Sequence, residues 1–444
     1  MTQPASTGAQ TGINREDELI FVATSDAAGI TRGRAMRSAD FSDRTSLGWV
    51  PADLGIGPLG HIVDDIPYGS SGDLRLRPDL DSRTRIPAVG ERPSFELVFA
   101  DLVETDGSDW ESCSRLWLKR AVEELREDFG LVCTAAFEHE FVEKTATVHP
   151  HPFSLREFRA AEPIGSEVMR VLSEAGCEPE NWLPEYAEHQ FEVTNRPADP
   201  LAAADRAILV RDLVADVYAA HQREVTFSPV PVAGAGGSGV HVHYGLYGTD
   251  GSNVSFDAAR PGRVSEMAAR FNAGIVKYGP EMTALFAPLT ISYQRLAPHN
   301  WSTARAFCGV RNREALVRVP PTNELDGRDP APQLHFEFRG SDIGANPWLL
   351  MGLLLKAGMQ GLKENLPPVD VVEGELELEG VHADLASLPS SLEEALEALS
   401  NGSVVRSWLA SNWVEVFLQL KREEIRQLSH RSAEEQCEVY ARAY

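Results

Sequence analysis

Three short segments of the chain, at 138–140, 241–243 and 335–339, place metal-binding side chains on alternate residues. Residues i and i+2 of an extended strand point to the same side of a sheet. The side chains that share a side in this way are Glu138 with Glu140, His241 with His243, and His335 with Glu337 and Arg339. Carboxylates, imidazoles and a guanidinium around one cavity suit divalent metal ions and phosphate groups. The pattern therefore predicts an enzyme that uses ATP.

Two further glutamates, Glu185 and Glu192, lie in a fourth segment of the same kind. The combined set is five carboxylates and one imidazole: Glu138, Glu140, Glu185, Glu192, Glu337 and His241. Mg²⁺ and Mn²⁺ prefer oxygen ligands and accept one histidine. Two groups of three ligands would hold a pair of such ions, so we expect two or more Mg²⁺ or Mn²⁺ ions per site.

Each of these patterns also has a simpler structural interpretation. A Glu-x-Glu pair on a strand is usually two solvated carboxylates, and a buried His-x-His pair is as often two hydrogen-bonded core histidines. Arg311, Arg313 and Arg318 would serve equally at a sheet edge that faces acidic neighbours. Trp301 would serve as ordinary packing. The metal hypothesis is preferred because all of these interpretations would otherwise have to hold at once.

The composition narrows the class of protein. A chain of 444 residues suits a modest domain plus a large one. Its net charge of −25 argues against a nucleic-acid partner, because no basic stretch offers the charge density that neutralises phosphates. The five cysteines are scattered, which predicts a reduced cytoplasmic setting. The first dozen residues are polar, so we expect a disordered tail over 1–13 and neither a signal peptide nor a membrane anchor.

The hydrophobic pattern changes after the first quarter of the chain. Apolar runs of strand length at 19–24 and 95–102 predict a small, mostly β domain over 14–105. Helical spacing that alternates with strands then predicts an α+β catalytic domain over 106–444. The helices are expected at 116–129, 202–221, 264–285, 346–364 and 391–428. The strands are expected at 131–143, 183–195, 238–247, 312–319 and 334–340.

The order and spacing of eight segments resemble the motifs of the glutamine synthetase family along nearly the whole chain. The segments are 26–34, 72–79, 137–141, 185–192, 237–243, 292–296, 311–318 and 336–339. The resemblance implies a small N-terminal β-grasp domain and a large catalytic domain, whose curved antiparallel sheet forms a half-barrel flanked by helices. It also implies a homo-oligomer, commonly a dodecamer of two stacked hexamers, with each site between two subunits.

The resemblance further implies a role for each metal-binding side chain. Glu140, Glu185 and Glu192 would hold one metal ion. Glu138, His241 and Glu337 would hold the other, which would bridge the nucleotide phosphates and the acceptor carboxylate. The small-molecule substrates would be ATP as co-substrate, glutamate and an amine.

The same resemblance implies roles for the residues around the ions. Arg313 and Arg318 would neutralise charge on the transferred phosphoryl group. Arg295 and Arg339 would bind the carboxylates of the amino acid, beside Gly237. The residues expected on the nucleotide side are His243 and His335, with Arg313 and Arg318.

Four positions depart from the family pattern. Ammonium-using members have a flap glutamate that deprotonates ammonium, and Trp301 takes its place here. We therefore expect an organic amine as nucleophile, with His299 as a candidate substitute base. Gly236 replaces an asparagine near the substrate amino group, and His335 replaces a phosphate-facing arginine. An acidic element of the N-terminal domain has no clear counterpart, although Asp64 or Asp65 would stand nearest to it.

The sequence thus favours an ATP-dependent ligase that makes a γ-glutamyl amide, with no membrane partner. A true glutamine synthetase that uses ammonium despite Trp301 is the first alternative. A catalytically inactive structural or regulatory relative is the alternative from another class. A kinase that stops at the phosphorylated acid is a further one.

Overall fold

The structure is a computed structural model that describes residues 18–146, 151–298, 300–376 and 382–444. Its N-terminal part is a six-stranded sheet in the order β2-β1-β6-β4-β3, with β5 on the free length of β6. The strands are β1 (Leu19–Ser25), β2 (Thr31–Arg37), β3 (Leu47–Trp49), β4 (Leu74–Pro78), β5 (Thr84–Ile86) and β6 (Phe95–Glu104). The central pair β1 and β6 is parallel, and the other pairs are antiparallel. The predicted strands at 19–24 and 95–102 are confirmed as β1 and β6.

A second sheet of nine strands carries the candidate site. Its order is β15-β12-β13-β14-β11-β7-β9-β8, with β10 beside β7, and it curves into a half-barrel. The strands are β7 (Leu131–Glu143), β8 (Pro179–Pro184), β9 (Gln190–Asn195), β10 (Val225–Thr226), β11 (Val240–Gly248), β12 (Cys308–Val310), β13 (Val317–Val319), β14 (Phe336–Phe338) and β15 (Val371–Glu373). The expected antiparallel pairing holds from β13 to β8. At the other edge, β12 pairs in parallel with β13 and β15.

Helices pack against this sheet and on each other. They are α1 (Ser114–Phe129), α2 (Leu155–Ala160), α3 (Ile164–Glu174), α4 (Pro200–Ala220), α5 (Glu266–Phe286), α6 (Ser292–Arg295), α7 (Pro347–Lys363), α8 (Leu392–Asn401), α9 (Ser403–Ser407), α10 (Ser411–Leu428) and α11 (Ala433–Ala443). Helices α5 and α7 cross very closely at Gly274, where an added Cβ would lie 1.9 Å from the carbonyl oxygen of Ala357. Among the residues that the structure describes, no helix is long and apolar enough to cross a bilayer.

Most of the predicted helices and strands are confirmed within a few residues, and three predictions are wrong in detail. The strand expected over 312–319 is only β13, because residues 312–315 form a turn. The single helix expected over 391–428 is three helices, because the chain leaves helical geometry at Gly402 and again at Ala410. The single strand expected over 183–195 is the hairpin β8–β9, which turns through 185–189. Helices α2, α3 and α11 were not predicted from the sequence.

The strand register places the predicted ligands next to one another. His241 on β11 pairs with Glu138 on β7, and Glu140 pairs with Glu192 on β9. On the other side of β11, His243 pairs with Glu337 on β14. Phe336 and Phe338 alternate with Glu337 and are fully buried in the core, as the period of two requires. Four neighbouring strands therefore deliver one polar surface.

Candidate active site

A cleft of about 1680 Å³ opens over this polar surface. Its walls include all six predicted metal ligands and four predicted substrate-side arginines. The lining residues among the predicted ones are Glu138, Glu140, Glu185, Glu192, His241, Glu337, Gly237, Arg295, Arg313, Arg318, Arg339 and Trp301. A cleft lined by one dense acidic group and one basic group suits a metal–nucleotide complex. His299 lies outside the described residues.

The predicted ligand group of Glu138, His241 and Glu337 is compact. His241 Nδ1 lies 3.6 Å from Glu138 Oε2 and 3.8 Å from Glu337 Oε1. Burial opposes ionisation of Glu138, but His243 and His241 more than offset it and hold the pKa of this carboxyl well below its usual range. Glu337 behaves in the same way, because Arg339 and His241 outweigh its burial and lower its pKa to about 2. Both glutamates are therefore ionised at neutral pH.

His243 belongs to this group as well. Its Nε2 lies 3.0 Å from Glu138 Oε1, and one atom from each of Glu138, His243 and Glu337 fall within 4.8 Å of one another. On the other side of the ring, His243 Nδ1 lies 3.0 Å from His335 Nε2, and His335 Nδ1 is 2.8 Å from the carbonyl oxygen of Gln333. The two histidines contact each other, and neither is a lining residue of the cleft. Their roles toward the nucleotide therefore stay predictions.

The other predicted ligand group, Glu140, Glu185 and Glu192, consists of carboxyl groups alone. Glu140 accepts a hydrogen bond from the Gly239 amide at 2.6 Å, and Glu185 accepts one from the Tyr186 amide at 3.0 Å. Burial, and then the charge of Glu140, raises the pKa of Glu185 to about 7. Burial, and then the charges of Glu138 and Glu140, also raises the pKa of Glu192. These carboxyls thus repel one another in the absence of a cation.

The donor set fits divalent ions. Among the described residues, Glu140, Glu185 and Glu192 have no lysine or arginine within ion-pair distance, although they face one cleft. Carboxylates that converge without a protein cation, next to the imidazole of His241, form a donor set that Mg²⁺ or Mn²⁺ would complete. The assignment of each ligand to one ion stays a prediction.

Two of the predicted arginines are tied to the acidic wall. Arg318 pairs with Glu337 in the β13–β14 register, and its Nη1 donates to Glu337 Oε2 at 2.6 Å. Arg339 Nη1 also donates to Glu337, while its Nε donates to the Arg313 carbonyl oxygen at 2.9 Å. Arg318 Nε is buried without a partner among the described residues. Arg318 thus keeps a free donor.

Arg295 holds the backbone around the cleft. It is buried, and its Nη2 donates to the carbonyl oxygens of Gly340 at 2.9 Å and Ser341 at 2.7 Å. Its Nη1 donates to Ser302 Oγ at 3.2 Å. Gly237 packs directly on this side chain, since an added Cβ would lie 2.6 Å from Arg295 Cγ. Arg295 Nε remains without a partner in the described part of the chain, and the substrate-binding role of Arg295 stays a prediction.

Trp301 lies at the mouth of the cleft. Its side chain is 54% exposed, and its ring centre is 4.8 Å from that of Tyr186. Its backbone has φ +50, an uncommon value for an aromatic residue, and Arg339 Nη2 donates to its carbonyl oxygen at 3.0 Å. Sequence reasoning missed Tyr186 and also Phe153, which lines the same cleft. The only available indication was an aromatic residue directly after a predicted ligand, Glu185.

The other departures from the family pattern have simple surroundings. An added Cβ at Gly236 would lie 2.9 Å from Ala187 Cβ, so Ala187 fills the space that a side chain at 236 would need. Asp64 and Asp65 are exposed on the N-terminal part and do not line the cleft.

The chain belongs to the glutamine synthetase family, which makes it a ligase of the carbon–nitrogen class, and its half-barrel with acidic and basic walls agrees with that family. The model of the glutamine synthetase N-terminal domain matches residues 10–110, and that of the glutamine synthetase catalytic domain matches residues 111–440. The two models meet at residues 110 and 111, and the domain boundary at 105 stays a prediction.

Individual relatives differ in what their names state. A gamma-glutamylpolyamine synthetase of Streptomyces coelicolor is 31% identical over 412 residues, which cover 88% of this chain and 86% of that protein. A glutamine synthetase of Halobacterium salinarum is 30% identical over 382 residues, 82% of each chain. A crystal structure described as a novel glutamine synthase homolog superposes with a TM-score of 0.89 at 37% identity, covering 96% of this chain and 99% of the other.

Proposed function

We propose that the protein phosphorylates the γ-carboxylate of glutamate with ATP and condenses it with an organic amine to give a γ-glutamyl amide. The observation that carries the choice of an organic amine is Trp301. An indole, which cannot accept a proton from ammonium, is exposed at the cleft mouth where ammonium-using relatives place a carboxylate.

The reaction needs two transfers because a carboxylate is a poor electrophile. A γ-carboxylate oxygen first attacks the terminal phosphorus of ATP, the bond to the bridging oxygen breaks, and ADP leaves. The amine nitrogen then attacks the acyl carbon, phosphate leaves with its bonding electrons, and one amine proton passes to a base. Divalent ions, when bound, would stabilise charge on the phosphoryl oxygens.

The chain's own residues would position and neutralise the reacting groups. Arg318 has a free, buried Nε beside Glu337, and Arg313 lines the same wall, so both would stabilise negative charge on the transferred group. Arg339 would keep Glu337, Arg313 and Trp301 in fixed relative positions, since it donates to all three. Such a rigid arrangement favours the reactive geometry.

The same proposal includes the assembly and the ions. We propose two or more Mg²⁺ or Mn²⁺ ions per site, held by Glu140, Glu185 and Glu192 and by Glu138, His241 and Glu337. We also propose a homo-oligomer, with a dodecamer of two stacked hexamers as the expected form. Analytical ultracentrifugation measures the assembly directly.

The test is phosphate release with saturating ATP, Mn²⁺ and glutamate over a panel of primary amines and ammonium, with mass detection of the amide. We expect kcat/KM for at least one organic amine to exceed that for ammonium by more than tenfold. Ammonium as the best substrate would identify a glutamine synthetase and overturn the proposal. Formation of ADP and γ-glutamyl phosphate, without free phosphate or any amide, would identify a kinase.

A matched pair of variants locates the cause. Trp301→Glu restores the side chain that ammonium-using relatives carry and should raise the ratio of ammonium to amine turnover. Leu325→Ala, at a residue that is 72% exposed and does not line the cleft, serves as control and should leave that ratio unchanged.

A further inference from the structure

Three aromatic side chains surround the outer part of the cleft. Phe153 and Tyr186 are each 57% exposed and Trp301 is 54% exposed, and all three are lining residues. Large apolar side chains that are exposed together in a concave site usually contact a ligand. Neither Phe153 nor Tyr186 has a role in the metal or phosphate chemistry described above.

The aromatic side chains are held in place by the backbone. The rings of Tyr186 and Trp301 are in contact at 4.8 Å, with their planes tilted by 49°. Phe153 and Trp301 both have positive φ, +57 and +50, which is rare for an aromatic residue. Arg339 binds the Trp301 carbonyl oxygen, and the Tyr186 amide donates to Glu185. Conformations of this kind occur at ligand contacts, where the surrounding structure stabilises them.

The acidic cleft residue that is nearest to the aromatic side chains along the chain is Glu185. Glu185 directly precedes Tyr186 in the β8–β9 turn and has no lysine or arginine within ion-pair distance among the described residues. The outer acidic lining residues Glu373 and Glu375 lie on or after β15, at the opposite end of the sheet. The aromatic surface thus begins beside Glu185, whose carboxyl group lies near that of Glu140, and the three aromatic side chains themselves carry no charge.

We propose that Tyr186, Trp301 and Phe153 form a subsite for the apolar substituent of a primary monoamine, in particular an arylalkyl or branched alkyl group. This inference rests on the proposed function and names its amine class. The ammonium end of the substrate would lie toward Glu185, and the hydrocarbon would cover the rings. A diamine or polyamine would place its second charge on the apolar surface, which disfavours it.

The test compares kcat/KM for methylamine, 3-methylbutylamine, benzylamine and 1,4-diaminobutane in the full-length protein with ATP, Mn²⁺ and glutamate. We expect benzylamine or 3-methylbutylamine to exceed methylamine by at least tenfold. In Tyr186→Ala, that ratio should fall about tenfold, which corresponds to the loss of one aromatic contact. Tyr186→Phe keeps the ring and should keep the ratio, and Leu325→Ala should also keep it. Affinity for Mn²⁺, measured by calorimetry, reports whether each variant is folded.

The outcomes separate the two proposals. If no amine gives an amide, the proposed function fails and this inference fails with it. If methylamine reacts but the ratio is the same in Tyr186→Ala as in the wild type, only the inference is overturned. A preference for 1,4-diaminobutane over both apolar amines would also overturn the inference while leaving the ligase assignment intact.

Discussion

The molecule contains two groups of buried acidic side chains, and only one of them is neutralised by lysine and arginine side chains among the described residues. Where the N-terminal sheet meets the helices, Arg115 is only 1% exposed and contacts three aspartates. Its Nη1 donates to Asp79 at 2.8 Å and Asp101 at 3.0 Å, and its Nη2 donates to Asp205 at 2.8 Å. Lys119 adds a second cation. In the cleft, Glu140, Glu185 and Glu192 converge with no such partner among the described residues.

The two groups differ in what they contribute: the paired aspartates stabilise the fold, and the unpaired glutamates are available to bind a cation. The three aspartates are paired with cationic side chains of α1. These ion pairs connect the end of β4 and the strand β6 to α1 and α4 whether or not a ligand is bound. Lys119 and Arg115 outweigh the burial of Asp79 and lower its pKa to about 2. In the cleft, burial and like charges raise the pKa of Glu185 to about 7. That group reaches its low-energy state only when an external cation binds.

The largest expected effect follows from removing the cation of the paired group. Arg115→Met leaves buried carboxylates with fewer partners, so we expect the free energy of unfolding to fall by about 3–5 kcal/mol. Urea unfolding followed by circular dichroism measures it. Arg426→Met, at an exposed ion pair with Glu423, should leave the free energy of unfolding almost unchanged. A loss as small as this in Arg115→Met would remove the distinction between the two groups.

The next effect concerns the unpaired group. Glu192→Gln removes one repelling carboxyl, so the metal-free protein should gain about 1–3 kcal/mol at pH 7. The same variant lacks a ligand, so the increase in Tm on addition of Mn²⁺ should become much smaller. Thermal unfolding with EDTA and with Mn²⁺ measures both. A less stable metal-free variant would show that Glu192 is stabilising without the ion.

Metal affinity should depend on pH because Glu185 must lose its proton to bind. Its pKa of about 7 predicts that Mn²⁺ affinity rises with pH up to about pH 7, and the raised pKa of Glu192 extends a smaller rise to higher pH. Calorimetric titrations at pH 6, 7 and 8 test this. Glu185→Gln should flatten the rise, and an equal slope in both proteins would exclude Glu185 as the titrating ligand.

The smallest expected effect is on the pH dependence of stability in the metal-free protein, where Asp79 and Glu185 should contribute with opposite sign. Asp79 has a folded pKa below its unfolded value of 3.8, so its stabilisation is present above pH 4 and is lost as pH falls toward 2. Glu185 has a folded pKa above its unfolded value of 4.5, so it destabilises the protein as pH rises from 4.5 to about 7. Unfolding curves of Asp79→Asn and Glu185→Gln against pH should each lack one of these slopes.

Much of the site was predictable because strand periodicity is local. Glu138 and Glu140, or Glu337 and Arg339, must share a side once their segment is a strand, and all of them line the cleft. The helix α1 was predictable for a similar reason, since Gly130 ends it with φ +63. The hairpin β8–β9 was not, because its turn at 185–189 contains no glycine, proline, asparagine or aspartate that would mark a turn in the sequence.

The contacts between distant segments were beyond local patterns. The placement of His335 against His243, the three partners of Arg115, and the meeting of Tyr186 with Trp301 each join residues far apart in the chain. Nothing in the sequence around Asp79 indicated that its carboxylate pairs with Arg115 and Lys119 on α1. Such pairs depend on strand register and on how layers pack.

The sequence by itself determined which side chains can bind metal and phosphate, and which family the chain resembles, because composition and a period of two are properties of single segments. The tertiary structure alone decided which acids receive a protein cation and which await an external one. The physical reason is that charge compensation depends on distances of a few ångströms between side chains, and only the folded arrangement of strands and helices sets those distances.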